Sequence, residues 1–154
     1  MDEELLSRQQ PQSLEAEQAV LGSILIDSRC ITEVVGVVKP EDFYLAQNRE
    51  IYETIYTMFN FSQTIDPVTV LDKLKELGYY HDNSRDYILQ LMEITPTAAN
   101  VVRYANIVRE KSMLRGLNQA ATDIHEMVSE EVGTPAEMLE TAEKKIYALR
   151  KGER

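Results

Sequence analysis

The stretch IVREKSMLRGLNQAATDIHEMV, residues 107–128, decides the fold. Its apolar residues recur at Ile107, Leu114, Ala121 and Val128, with Leu117 and Ile124 between them. Steps of three and four residues build a seven-residue repeat, which lines one seam of an α-helix. A turn at Gly133 follows, and Leu139, Ala142, Ile146 and Leu149 repeat the rhythm in a second, shorter helix. Residues 97–150 therefore read as two helices folded back as a hairpin. Further apolar side chains (Met113, Met127, Val132, Met138) lie off the seam, and two helices cannot shelter all of them from each other. The hairpin is expected to need cover from its own head, a second copy or another protein.

Outward from the hairpin, the rest reads as helical too. Residues 1–12 are polar and without period, a mobile tail ending near Pro11. Ser13 caps a helix whose first turns carry Glu15 and Glu17, favourably placed against the helix dipole. The run Ala19 to Ile26 is apolar on most sides, and Gly22 with Ser23 lets a neighbour approach closely. Asp27 or Ser28 caps a short helix to about Val37, which Pro40 stops. Its valines favour a strand, but no partner strand exists elsewhere. A helix from about Gln47 to Phe61 puts Ile51, Ile55, Met58 and Phe59 on one face, flanked by Tyr52 and Tyr56. Asp66-Pro67 starts another, carrying Val68, Leu71, Leu74 and Leu77 and ending at Gly78. Asn83 or Ser84 caps a helix bearing Tyr87, Ile88, Leu91 and Met92, broken at Thr95-Pro96. Thr134-Pro135-Ala136-Glu137 fits a capping box for the second hairpin helix. The expected fold is all-α: a tail at 1–12, a globular multi-helix head at 13–96 and a protruding antiparallel hairpin at 97–152.

The chain has 154 residues and a formal net charge of −10. That balance argues against strong nucleic-acid binding by this region alone, because phosphate contacts need clustered Lys and Arg. A single cysteine, Cys30, excludes an intrachain disulfide and fits a reducing, cytoplasmic compartment. No apolar run approaches a membrane span, and the acidic start is no signal peptide.

Catalytic patterns are missing. A phosphate-cradling loop needs Gly-Lys-Ser/Thr, and no glycine here precedes lysine. His125-Glu126 opens like a zinc-protease motif, but Ser129 stands where the second histidine is required. Gly22-Ser23 lacks the glycine spacing of a nucleophile elbow. Glu130-Glu131 and Glu140 to Glu143 read as solvated faces. No catalytic, cofactor or metal residue is therefore expected. What remains is surface suited to partners: Tyr87, Met113, Met127 and Met138 are of the adaptable kind that interfaces favour.

A resemblance completes this reading. Residues 11–23 (PQSLEAEQAVLGS) resemble the start of bacterial replicative DNA helicases of the DnaB type. The likeness continues through PEDFY at 40–44, IDPVTV at 65–70, TPTAAN at 95–100, RYANIVREKSMLR at 103–115 and AEKKI at 142–146. It covers nearly the whole chain, in order. It implies the amino-terminal domain of a hexameric, ATP-driven helicase, with the motor, its ATP and its magnesium on another part of the protein. It further implies hairpin-mediated dimers arranged as a trimer of dimers, and a collar that recruits the carboxy-terminal domain of primase and a helicase loader. Positions matching the primase contacts are Tyr87, Asn118, Ile124 and His125, to which the residue reading adds Met127. The seam positions Ile107, Leu114, Leu117, Ala121, Val128, Leu139 and Ile146 are the self-association candidates. Asn118 departs from the usual aliphatic residue, Gly116 from a longer one and Asn48 from a common histidine. The competing expectation is a stand-alone helical adaptor unattached to any motor.

Overall fold

A computed structural model describes residues 10–151. Among them every regular element is helical: α1 (Leu14–Ile26), α2 (Ile31–Val34), α3 (Ala46–Asn60), α4 (Pro67–Leu77), α5 (Ser84–Glu93), α6 (Val101–Ser129) and α7 (Pro135–Lys151). Single 3-10 turns at Ser28–Cys30 and Pro40–Asp42 fill the gap between α1 and α3. The expected all-α class holds. The tail expected at 1–12 lies largely outside the described residues.

The chain divides into two units, Gln12–Lys111 and a second containing the hairpin from Ser112 onward. The division falls inside α6, not at Pro96. The physical reason is that Val101, Ala105 and Val108, on the first turns of α6, are buried in the head's own core. Ile107 packs half-buried against the same core. That removes it from the hairpin seam to which its spacing assigned it.

In the head unit, the Ser13 hydroxyl accepts from the Ala16 N–H at 3.2 Å and starts α1. Helix α1 packs chiefly on α5, and α3 packs on α4. Gly22 permits the first of these approaches: a β-carbon there would stand 2.0 Å from Thr95 Oγ1 and 2.5 Å from the Leu91 carbonyl oxygen. Tyr52, expected at the flank of α3, is fully buried. Its ring stacks on Phe43 at 4.7 Å and its hydroxyl donates to the Val38 carbonyl at 2.9 Å. Burial pushes its hydroxyl well above the ordinary tyrosine range. Asp66 caps α4 by accepting from the Thr69 N–H at 2.8 Å, and Gly78 closes it in the left-handed conformation at φ +79°. Val68, counted on the apolar face, is instead 76% exposed, because Val70 and Leu74 set the buried stripe of α4. The short helix expected to Val37 ends at Val34. No strand forms there.

The segment between α4 and α5 is fastened along α3 by three polar pairs. Tyr79 donates to Glu53 at 2.9 Å, His81 meets Glu50 at 2.8 Å, and Gln47 and Asn83 exchange amide hydrogen bonds at 3.0 and 3.2 Å. Alternate residues of the segment thus meet positions one helical turn apart on α3.

Candidate functional site

The hairpin is built by its turn. Thr134 Oγ1 accepts from the Glu137 N–H at 3.2 Å, and Glu137 Oε1 accepts from the Thr134 N–H at 2.9 Å. This is the expected capping box, with Gly133 at φ +88° just before it. The Thr134 amide holds the Glu137 carboxyl below its ordinary value.

Two observations fix which face of α6 meets α7. A β-carbon on Gly116 would stand 2.5 Å from Leu149 Cδ2. Farther out, Lys145 Nζ donates to Asp123 Oδ2 at 3.3 Å. The Gln119 amide, and then this contact, keep the Asp123 carboxyl low. Met113, Gly116, Ala120, Asp123 and Met127 share that stripe by helical spacing, and all are half-buried or buried. On α7 the sheltered residues are Met138, Ala142, Lys145 and Leu149.

The seam is therefore one residue out of register with the expectation. Leu114, Leu117, Ala121 and Val128 are exposed, and so are Leu139 and Ile146 on α7. Leu117 is 47% accessible, Val128 55% and Leu139 65%. Helices approach most closely over small side chains, so Gly116 and Ala120 turn inward and the larger aliphatics turn out. Of the off-seam residues only Val132 stays exposed, at the turn. Met113, Met127 and Met138 are half-buried.

The candidate partner residues separate accordingly. Asn118 and His125 lie on the exposed stripe with Leu117, Ala121 and Val128. Ile124 and Met127 are half-buried. Tyr87 belongs to the head and is half-buried. Its hydroxyl donates to Asn48 and accepts from Gln18, and burial raises its titration.

That bond leads to a residue the sequence reading missed. Glu17 is 1% exposed and accepts from the N–H groups of Tyr44 at 2.7 Å and Leu45 at 3.3 Å, and from Asn48 Nδ2 at 2.9 Å. The dipole explanation of Glu17 captured only its position in the first turn. Its spacing to Val20, Leu21 and Ile24 marks the buried face. Also missed was Arg115, whose Nη1 donates to the Pro11 carbonyl at 2.7 Å.

Among the described residues no group of three or more His, Cys, Asp or Glu is placed to hold a metal. No described helix is long and apolar enough to cross a membrane. Cys30 is buried, and desolvation, followed by Asp27 and Glu33, pushes its thiol up to about 11, away from reactivity.

Comparison with known proteins agrees with this architecture. The family described as DnaB-like helicase N terminal domain matches residues 9–110. The replicative DNA helicase DnaB of Leifsonia xyli is 35% identical over 92% of this chain and 31% of its own length. That of Geobacillus stearothermophilus is 38% identical over 80% of the chain and 28% of its own length. The Bacillus subtilis replicative helicase DnaC is 35% identical over 97% of the chain and 33% of its own length. The chain thus spans about a third or less of these curated relatives. The crystal structure of the N-terminal domain of DnaB helicase from Mycobacterium tuberculosis superposes with a TM-score of 0.84 at 34% identity, covering 92% of this chain and 99% of that one. This chain belongs to the DnaB-like helicase N-terminal domain family.

Proposed function

We propose that this chain is the non-catalytic assembly and docking domain of a hexameric, ATP-dependent replicative DNA helicase. Its hairpin pairs with that of a second copy, dimers associate in threes, and the resulting collar offers surface to primase. A helicase loader is a further partner of the same surface. ATP and magnesium act in the motor part of such a protein, and this region contributes geometry instead of chemistry. The observation that carries the reading is the aliphatic stripe Leu114, Leu117, Ala121 and Val128, with Leu139 and Ile146, left uncovered by the hairpin's own packing. Apolar surface of that extent marks association. The relatives' names and their greater length support a motor-linked domain over a stand-alone adaptor.

The test is light scattering at several concentrations, with and without a primase carboxy-terminal domain. Concentration-dependent dimers are expected. Leu117→Asp should weaken dimerisation by about tenfold or more, since burying a leucine contributes roughly 1.5–3 kcal/mol. Ile124→Asp should weaken self-association or primase binding with helicity intact. A chain that stays monomeric at high concentration and ignores primase overturns the reading.

A further inference from the structure

The head unit holds a cavity that the assembly reading leaves unused. It measures about 290 Å³ and lies where α5 ends and α6 begins, beside the first turns of α1. Pockets for drug-sized molecules start at roughly 300 Å³, so this one has room for a single side chain. Its walls are fixed by short-range contacts. Gly22 lets α1 close on α5, Thr95 Oγ1 donates to the Leu91 carbonyl at 2.8 Å, and Thr97 Oγ1 accepts from the Ala99 N–H at 3.1 Å.

The lining combines apolar surface from Ala19, Ile94, Pro96 and the Tyr104 ring with polar side chains, among them Glu15 and Asn100. Ile94 is aliphatic yet 50% exposed. Glu15 is the one charged residue in the lining. Helix ends act as roughly half a charge each, negative where α5 ends and positive where α1 and α6 start. Those ends sum to about +0.5, which the full carboxylate charge of Glu15 outweighs. No basic residue in the last turn of α5 offsets it, and Glu15 has no ion-pair partner among the described residues.

An apolar wall beside a carboxylate matches an arginine or lysine side chain, whose stem packs on apolar surface while its charged head stays wet. Tyr104 adds a ring of the kind that attracts a cation. Thr97 also lines a neighbouring cavity with Asp27, Arg29 and Glu33. There Arg29 is tied to Asp27 at 2.9 Å, which leaves Glu33 as the surplus charge. Two adjoining cavities of one sign suit a peptide with two basic residues better than a free amino acid.

We propose that this corner of the head binds a basic peptide segment of a partner protein, with one cationic side chain beside Glu15 and the next toward Glu33. The acidic balance of the chain, −10 overall, draws such a segment in. The site lies wholly in the head unit and does not depend on the self-association reading.

The experiment titrates the full chain with acetyl-Arg-Ala-Arg-amide and follows methyl and amide NMR signals. The Ile94 methyl and the Asn100 side-chain amide should shift and saturate. Glu15→Gln and Glu33→Gln, both at exposed positions, should each weaken binding about two- to fivefold, the effect of one exposed ion pair. Glu130→Gln, on the hairpin, removes the same charge elsewhere and should leave the affinity unchanged. The peptide with citrulline in place of both arginines, similar in shape but uncharged, should bind at least about fourfold more weakly. Shifts that never saturate, or an equal loss in Glu130→Gln, mean general attraction to an acidic protein and overturn the site. Equal binding of the citrulline peptide overturns cation recognition. Saturation of the Asn100 signal by inorganic phosphate overturns the sign assigned to the cavity.

Discussion

Gly116 faces Leu149 so closely that a β-carbon at position 116 would stand 2.5 Å from Leu149 Cδ2. The atom met is the end of a rotatable side chain, so small additions are absorbed and branched ones are not. Gly116→Ala should change stability by less than about 1 kcal/mol, because better helix propensity, about 0.8–1.0 kcal/mol, offsets a displaced leucine rotamer. Gly116→Ile should destabilise by about 1–2 kcal/mol through overpacking. Thermal unfolding of both variants, and of Gly116→Ile combined with Leu149→Ala, checks this. Recovery in the double variant locates the clash.

Gly22 has no such freedom. A β-carbon there would meet Thr95 Oγ1 at 2.0 Å and the backbone oxygen of Leu91 at 2.5 Å. Backbone cannot rotate away, so Gly22→Ala should destabilise by about 1–3 kcal/mol despite the helix-propensity gain. Chemical denaturation would show a lower midpoint than wild type. An unchanged midpoint would mean that α1 and α5 can separate at no cost.

Glu17 organises the entry to α3. Three donors converge on its carboxylate, from Tyr44, Leu45 and Asn48. A buried donor left without an acceptor costs about 1–3 kcal/mol, and of these three bonds the one from Asn48 is buried, so Glu17→Ala should lose about 1–3 kcal/mol. Glu17→Gln keeps the volume but turns an amide donor toward donors, and should lose less. Equilibrium unfolding of both in urea measures the difference.

The hairpin turn should respond to acid. Hydrogen bonds from Thr134, the backbone amide first and then the hydroxyl, lower the Glu137 carboxyl in the folded chain. A depressed folded value means the carboxylate's contribution is fully present above the unfolded value of about 4.3 and is lost as pH falls through the lower folded value. The Thr134 amide resonance should therefore titrate with a midpoint below the ordinary glutamate value. Glu137→Gln should abolish that titration while the rest of the spectrum stays as in wild type.

The helices and most of their ends were legible in the residues, the end of the short helix at Val34 excepted. Ser13, Asp66-Pro67, Gly78 and Thr134-Pro135 start or stop helices through bonds made within a few positions, and each does so in the structure. The aliphatic repeat of α6 also announced a surface with more apolar residues than a hairpin shelters. The resemblance to helicase amino-terminal domains rested on motifs spread in order along the chain, and the family match agrees with it.

What the residues by themselves determined is local: helix bounds, caps and the existence of a seven-residue periodicity. Which of two adjacent stripes of α6 turns inward was decided in three dimensions. Leu114, Leu117, Ala121 and Val128 repeat with the same period as Met113, Ala120 and Met127, and periodicity alone cannot rank neighbours one residue apart. The choice depends on how closely α7 can approach, which Gly116 opposite Leu149 sets. The same holds for Glu17, polar by composition yet buried, because three donors brought from 27 or more positions away compensate the desolvation of its carboxylate.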